Sequence, residues 1–137
     1  MQKGDVIPDG EILYRYVKPE ALPPGQSEIP TSVFQDQELS CDWKKLMPNP
    51  LNSFHISEGK SCVIEITVCD EIRNPTNPKR TGQVVPEWKQ QIIYDPLSAE
   101  EDTLHGCNPA HSLIKGKKKG AVVDAIKRNS RVFHSAK

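Results

Sequence analysis

Apolar and polar side chains alternate most cleanly over Ser61–Cys69, SCVIEITVC, with Ile64, Ile66 and Val68 on one face and Val63 and Glu65 on the other. A period of two over that length predicts a strand. EILYRYV, Glu11–Val17, alternates likewise: Ile12, Tyr14 and Tyr16 share one face, Leu13, Arg15 and Val17 the other. EWKQQIIY, Glu87–Tyr94, aligns Trp88, Gln90, Ile92 and Tyr94, and is expected to pair with Ser61–Cys69. The intervening RNPTNPKRTG has the turn chemistry of a long hairpin loop. Shorter strands are expected at TSVF, SFHIS and HSLIK.

The period changes near the end. From Lys117 to Arg131 the spacing of Val122, Ala125 and Ile126 predicts an amphipathic helix. Lys117, Asp124, Arg128 and Arg131 fall on its outer side, with Asp124 and Arg128 placed for an i,i+4 pair. Proline sharpens this contrast. All twelve prolines lie at or before Pro109, and a proline inside a helix breaks it. A helical bundle is therefore excluded over the first three quarters. The fold class expected is α+β: a small, mainly antiparallel sheet with long Pro-rich loops and one C-terminal amphipathic helix packed on it.

A length of 137 residues fits a single domain, residues 1–137. No window approaches the roughly eighteen apolar residues of a membrane helix, and MQKGDVIPDG lacks the apolar core of a signal peptide. A cytoplasmic protein with reduced Cys41, Cys62, Cys69 and Cys107 is the expectation.

Charge is distributed unevenly along the chain. The formal net charge is zero, yet His105–Lys137 holds eight basic residues against one acid, a net of +7, and the preceding 104 residues carry −7. Such asymmetry points to an anionic partner for the tail, or to docking of the tail on the protein's own acidic body.

Four constellations bear on chemistry. IKGKKKG sets Gly116 and Gly120 around Lys117, Lys118 and Lys119 where the helix should begin. A helix N-terminus, flanking glycines and lysines together suit a phosphate, although this is no Walker A loop. Lys115, Arg128 and Arg131 extend the basic surface, so the phosphate-binding set is Lys115, Gly116, Lys117, Lys118, Lys119, Gly120, Arg128 and Arg131. HGCNPAH offers His105, Cys107 and His111, a local trio short of the four ligands of a zinc site, and no metal or other cofactor is expected. His111 suits an acid–base or donor role better, with Asn108 orienting it. Asp70 with Glu87 and Lys89 has the D…E-x-K form of metal-dependent nucleases, for which Glu87 and Lys89 would share a strand face. LYRYV and IPTSVF are superficially similar to the arginine and serine strands of ADP-ribosyltransferases, but no catalytic glutamate strand follows.

Taken together, LYRYV, TSVFQDQELSCDW and NPAHSLIKGKKK resemble a family of small bacterial proteins without an assigned activity. Its pattern is an arginine-bearing first strand, an S-x-x-F element before a Leu-Ser-Val-Asp turn, and a terminal N-x-A-H…G-K-K segment. Here the turn reads Leu39-Ser40-Cys41-Asp42. The resemblance implies a bacterial cytoplasmic origin and a pocket shared by Arg15, Ser32, Asn108 and His111.

The reading that follows is a binding module for a phosphorylated partner, a nucleotide or nucleic acid, working with proteins encoded nearby as in bacterial conflict or defence operons. Two alternatives stand beside it. One is a small enzyme acting on a nucleotide or phosphate-containing substrate through His111, Asn108, Arg15 and Ser32. The other is a structural protein–protein interaction subunit whose basic helix docks on an acidic surface.

Overall fold

The computed structural model describes residues 2–22, 28–79, 82–102 and 106–135, with the backbone alone for 99, 101, 102 and 106. In chain order the strands are β1 (Ile12–Val17), β2 (Glu38–Trp43), β3 (Cys62–Thr67), β4 (Gln91–Tyr94), β5 (Leu97–Asp102), β6 (Gly106–Asn108), β7 (His111–Lys115) and β8 (Ser130–His134). Helices α1 (Phe54–Ser57) and α2 (Asp70–Arg73) are single turns, and α3 (Gly120–Arg128) is the one longer helix among the described residues. Six strands form an antiparallel sheet in the order β4-β7-β2-β1-β3-β8, and β5 with β6 makes a separate ribbon. The fold is α+β.

Alternation decides what each face of the sheet meets. Leu13, Leu39, Trp43, Ile64, Ile66, Ile92 and Ile114 point to one side, where Val122, Val123 and Ile126 of α3, Ile72 of α2 and Val33 and Phe34 close the core. These side chains are all within 3% of complete burial, so this layer carries most of the hydrophobic stabilisation. On the opposite face Tyr14, Tyr16 and Val63 form a smaller cluster with Ile12 and Ile56.

Two edges bound the sheet, and they differ. The N-terminal segment runs along β4: Gly4 N–H donates to Tyr94 O (2.7 Å), Tyr94 N–H to Asp5 O (2.9 Å) and Ile7 N–H to Ile92 O (2.9 Å). Arg73 pins that segment through Ile7 O and the Asp9 carboxylate. No strand of the described residues covers the outer side of β8.

The centre of the sheet is thinly laddered. β1 and β2 pair at Leu13–Trp43 and Tyr14–Asp42, and Lys44 N–H adds a bond to Ile12 O (2.9 Å). β1 and β3, by contrast, pair over six residues, from Ile12–Thr67 to Val17–Cys62.

Several sequence expectations need correction. TSVF is a 3-10 turn, Thr31–Phe34, entered from Pro30, and it buries Val33 and Phe34 against α3. SFHIS becomes helix α1, because the Ser53 side chain accepts the His55 N–H as a helix cap. Pro86 starts another 3-10 turn through Trp88, so Glu87 and Lys89 do not share a strand face, and β4 begins only at Gln91. β4 pairs with β7 and not with β3, so the segment around RNPTNPKRTG is a crossover and not a hairpin loop. Arg80 and Thr81 of that segment lie outside the described residues. The terminal helix is shorter than its period suggested: Ser130 and Arg131 already belong to β8, paired with Ile66 and Glu65. Arg128 bonds Glu71 (3.2 Å) and not Asp124, since α2 brings that carboxylate beside the end of α3. HSLIK is a strand as expected.

Candidate functional site

Past Tyr14, β1 and β2 part, and the Arg15 side chain spans the gap. Its Nε donates to Val33 O (3.3 Å) and its Nη1 to Ser40 O (3.1 Å). A guanidinium has five N–H donors, so three remain. No carboxylate pairs with Arg15 among the described residues. The opening is a crevice of about 40 Å³, lined by Arg15, Tyr16, Ser40, Cys41, His55, Lys60 and His111. Lys60 is exposed at its rim and likewise has no carboxylate partner among the described residues.

Behind the crevice lies a buried polar wall. Asp42 is fully buried; its Oδ1 accepts from Asn108 Nδ2 (3.0 Å) and its Oδ2 from Ser53 Oγ (3.4 Å). Pro109 makes the turn that aims Asn108, whose Oδ1 accepts the Ala110 N–H (3.3 Å). The Tyr16 hydroxyl faces Asp42 and Ser53 without a hydrogen bond of normal geometry to either. Burial, then the Asp42 charge, raise its pKa, so it stays a neutral phenol. The His55 ring stacks on Tyr16 at 4.6 Å.

His111 opens β7 opposite Asp42 and so shares its face of the sheet. Its Nδ1 lies 2.8 Å from Asp95 O and 3.1 Å from Asp95 Oδ2. Donation from Nδ1 to Asp95 leaves Nε2 as the ring's remaining polar atom. Lys3 reaches the other oxygen of Asp95 at 3.7 Å. The buried Cys41 thiol is pushed up to about 12 by burial, which the Arg15 charge only partly offsets, so it is not a nucleophile at neutral pH.

The residues singled out from the sequence are thus partly gathered. Arg15 and His111 both line the crevice, although alternation assigns them to opposite faces of the sheet, and Asn108 stands in its rear wall. Ser32 does not reach it: it is exposed on the 3-10 turn, and the turn's contribution is the Val33 carbonyl. Tyr16, Ser53, Lys60 and Asp95 escaped the sequence reading as site residues, and Asp42 entered it only within the Leu39–Asp42 turn of the resemblance, a stretch that is in fact strand β2. Asp42 alone left a signal, an acid set among apolar strand residues in SCDW.

The basic tail is arranged differently. Lys115 sits opposite Glu38 at 3.7 Å, Lys127 is 3.8 Å from Glu28, Arg128 is 3.2 Å from Glu71 and Arg131 is 2.9 Å from Glu65. Lys118 folds inward and donates to Ile114 O and Gly116 O, each at 2.9 Å, and to Gln37 O at 3.3 Å. Burial lowers its pKa to about 8, an effect that Cys41 and Asp36 only partly offset. Gly116 leaves no room for an anion on its side-chain face. With φ at +153°, a Cβ there would lie 2.6 Å from Gln90 Nε2 and 2.8 Å from Lys89 O. Gly120 is open and begins α3, whose cap residue Lys119 makes no side-chain cap bond. Lys117 lines a groove of about 530 Å³ in which Lys89 and Lys115 alternate with Asp36, Glu38 and Glu87.

Among the described residues no three His, Cys, Asp or Glu side chains are placed to hold a metal ion. His105 of the H-x-C-x3-H trio lies outside them, as does Lys137 of the basic tail. No helix among the described residues is long and apolar enough to cross a membrane. Neither a family model, nor a curated protein, nor a solved structure matches the chain.

Proposed function

We propose that this chain is a binding module for a phosphorylated partner, and that the crevice between β1 and β2 receives a terminal phosphate. One observation carries the reading: Arg15 and Lys60 flank a single opening with no carboxylate partner among the described residues, whereas four of the tail's cations have one. An uncompensated guanidinium presents charge and directed donors together, the combination that phosphate oxygens select. His111 adds a polar atom to the same lining, oriented by Asp95. A volume of about 40 Å³ admits the oxygens of one phosphoryl group and no base or sugar. The partner is therefore held by its end: a nucleotide's terminal phosphate or a 5′-phosphorylated nucleic acid.

The test is titration of the protein with inorganic phosphate, a nucleoside monophosphate, and an oligonucleotide with and without its 5′-phosphate, followed by amide chemical shifts at low salt. Shifts should cluster at Arg15, Ser40, Lys60 and His111, and of the two oligonucleotides only the 5′-phosphorylated one should produce them. Equal binding of both oligonucleotides would move the site to the tail. Absence of binding by every probe would leave the chain an interaction subunit without an anion site.

A further inference from the structure

We propose that the crevice also cleaves the phosphate monoester it receives, with His111 Nε2 as the nucleophile that takes the phosphoryl group before water does. The step rests on the reading that a terminal phosphate seats between β1 and β2. Space decides against direct hydrolysis. The crevice measures about 40 Å³ and a water takes about 30 Å³, so a bound phosphoryl group leaves no place beside it for an attacking water. The attacking atom then has to come from the wall.

Among the lining side chains His111 is the one set up for attack. The Cys41 thiol stays protonated at neutral pH, because burial raises its pKa to about 12. Tyr16 is held as a neutral phenol, again by burial. The Ser40 hydroxyl has no base hydrogen-bonded to it among the described residues. His55 is held against the Phe54 and Tyr16 rings, at 4.1 and 4.6 Å, with its Nδ1 sealed from solvent. His111 instead turns Nδ1 to Asp95, 2.8 Å from the carbonyl and 3.1 Å from Oδ2. Its Nε2 has no hydrogen-bond partner among the described residues, so the tautomer that Asp95 selects carries a free lone pair there. A nucleophile oriented by a neighbouring acceptor is the arrangement covalent catalysis uses.

The Nε2 lone pair attacks phosphorus, the P–O ester bond breaks, and its electron pair departs on the ester oxygen. Lys60, exposed at the rim where the leaving alcohol must project, gives that oxygen a proton. The phosphorylated ring is now a cation, which the Asp95 carboxylate stabilises through Nδ1–H. Arg15 stabilises the phosphoryl oxygens during transfer. Tyr16, only 6% exposed, adds a hydroxyl that lacks a hydrogen-bond partner. Once the alcohol leaves, water replaces it at the mouth and attacks phosphorus. The P–N bond breaks, its electron pair returns to Nε2, and the water's proton goes to Lys60. The sum is monoester plus water to alcohol plus phosphate.

A 5′-phosphorylated oligonucleotide incubated with the full chain should release inorganic phosphate. After an alkaline quench, which a phosphohistidine survives, mass spectrometry should find one phosphoryl group on the peptide that contains His111. His111→Asn, purified in the same way, should lose the adduct and slow release about a hundredfold or more. Its Arg15 and Lys60 amides should still shift with inorganic phosphate. A parent that binds inorganic phosphate at the crevice, yet frees none from the oligonucleotide and carries no adduct, overturns cleavage and leaves the binding reading standing. If no probe binds, both fall. Release that persists in a folded His111→Asn variant, or that proceeds in the parent without an adduct, overturns the proposal. Should the variant not fold, the parent decides alone: a phosphoryl group on any residue other than His111 overturns it.

Discussion

Two basic regions share this molecule, and they are built on opposite principles. In the tail, Lys115, Lys127, Arg128 and Arg131 each sit beside a carboxylate of the acidic body, and Lys118 is spent on three carbonyls. At the crevice, Arg15 is fixed by two carbonyls, which position it without cancelling its charge. A dense run of lysines in sequence is therefore a poor guide to where an anion is held. What matters is whether each cation has already been neutralised. Exposed ion pairs of the tail's kind typically contribute about 0–1 kcal/mol to stability, so this neutralisation affects the field more than the fold.

The largest effect is expected behind the crevice. Asp42→Ala strands the Asn108 and Ser53 donors in a buried site, and we expect it to cost about 3 kcal/mol in urea denaturation. Arg128→Gln, removing a tail pair of comparable bond count, should cost about 0.5 kcal/mol by the same measurement. Similar losses for the two would erase the distinction between a buried wall and a solvated rim.

Binding gives the next largest effect. Arg15→Gln should weaken phosphate affinity by about 2 kcal/mol, the scale of a charge-assisted bond, as read by calorimetry. The paired replacement Lys117→Gln with Lys119→Gln should change it by no more than about 0.5 kcal/mol. The reverse ranking would return the anion site to the start of α3. Salt sharpens the same contrast: affinity for inorganic phosphate should fall gently with ionic strength, since few charges engage, and steeply only if the whole tail takes part.

A smaller effect comes from Lys118. Its pKa is lowered to about 8 from an ordinary 10.5, so between those values the unfolded chain binds more protons than the folded one. Stability therefore rises with pH across that window, and Cys41, raised to about 12 from 9.0, opposes it only above pH 9. Between pH 8 and 9 the parent should gain slightly in melting temperature, and Lys118→Met should remove that gain. An unchanged slope in the variant would mean that burial does not hold the Lys118 pKa below its ordinary value.

Much of the sheet was legible because β1, β3 and β7 alternate cleanly along the chain, and α3 because its apolar positions share one helical face. What sequence could not give is pairing. The β4–β7 contact depends on a crossover, and β8 was hidden by a helical period that continues past Arg128 into residues of strand. Arg15 and His111 could be nominated by residue type, but the crevice exists because a ladder stops at Tyr14, and no local pattern announces that. Lys60 looked like any surface lysine. The glycine of IKGKKKG was read for the wrong neighbour: Gly116 makes room for Gln90, not for a phosphate.

The short ladder between β1 and β2 also bears on how the domain moves. In backbone terms the sheet consists of two three-stranded plates, β4-β7-β2 and β1-β3-β8, stitched at two residue pairs. The apolar layer beneath α3 spans both plates and keeps them in one body, while the main-chain hinge between them stays slender. Amides within each plate belong to one protected group, and the line along β1–β2 is where a sub-global opening needs to break fewest bonds. A ligand seated between Arg15 and Ser40 would act there as a further stitch. It would raise the cost of that opening in proportion to the logarithm of its occupancy ratio, and so make the two plates exchange their amide hydrogens as one.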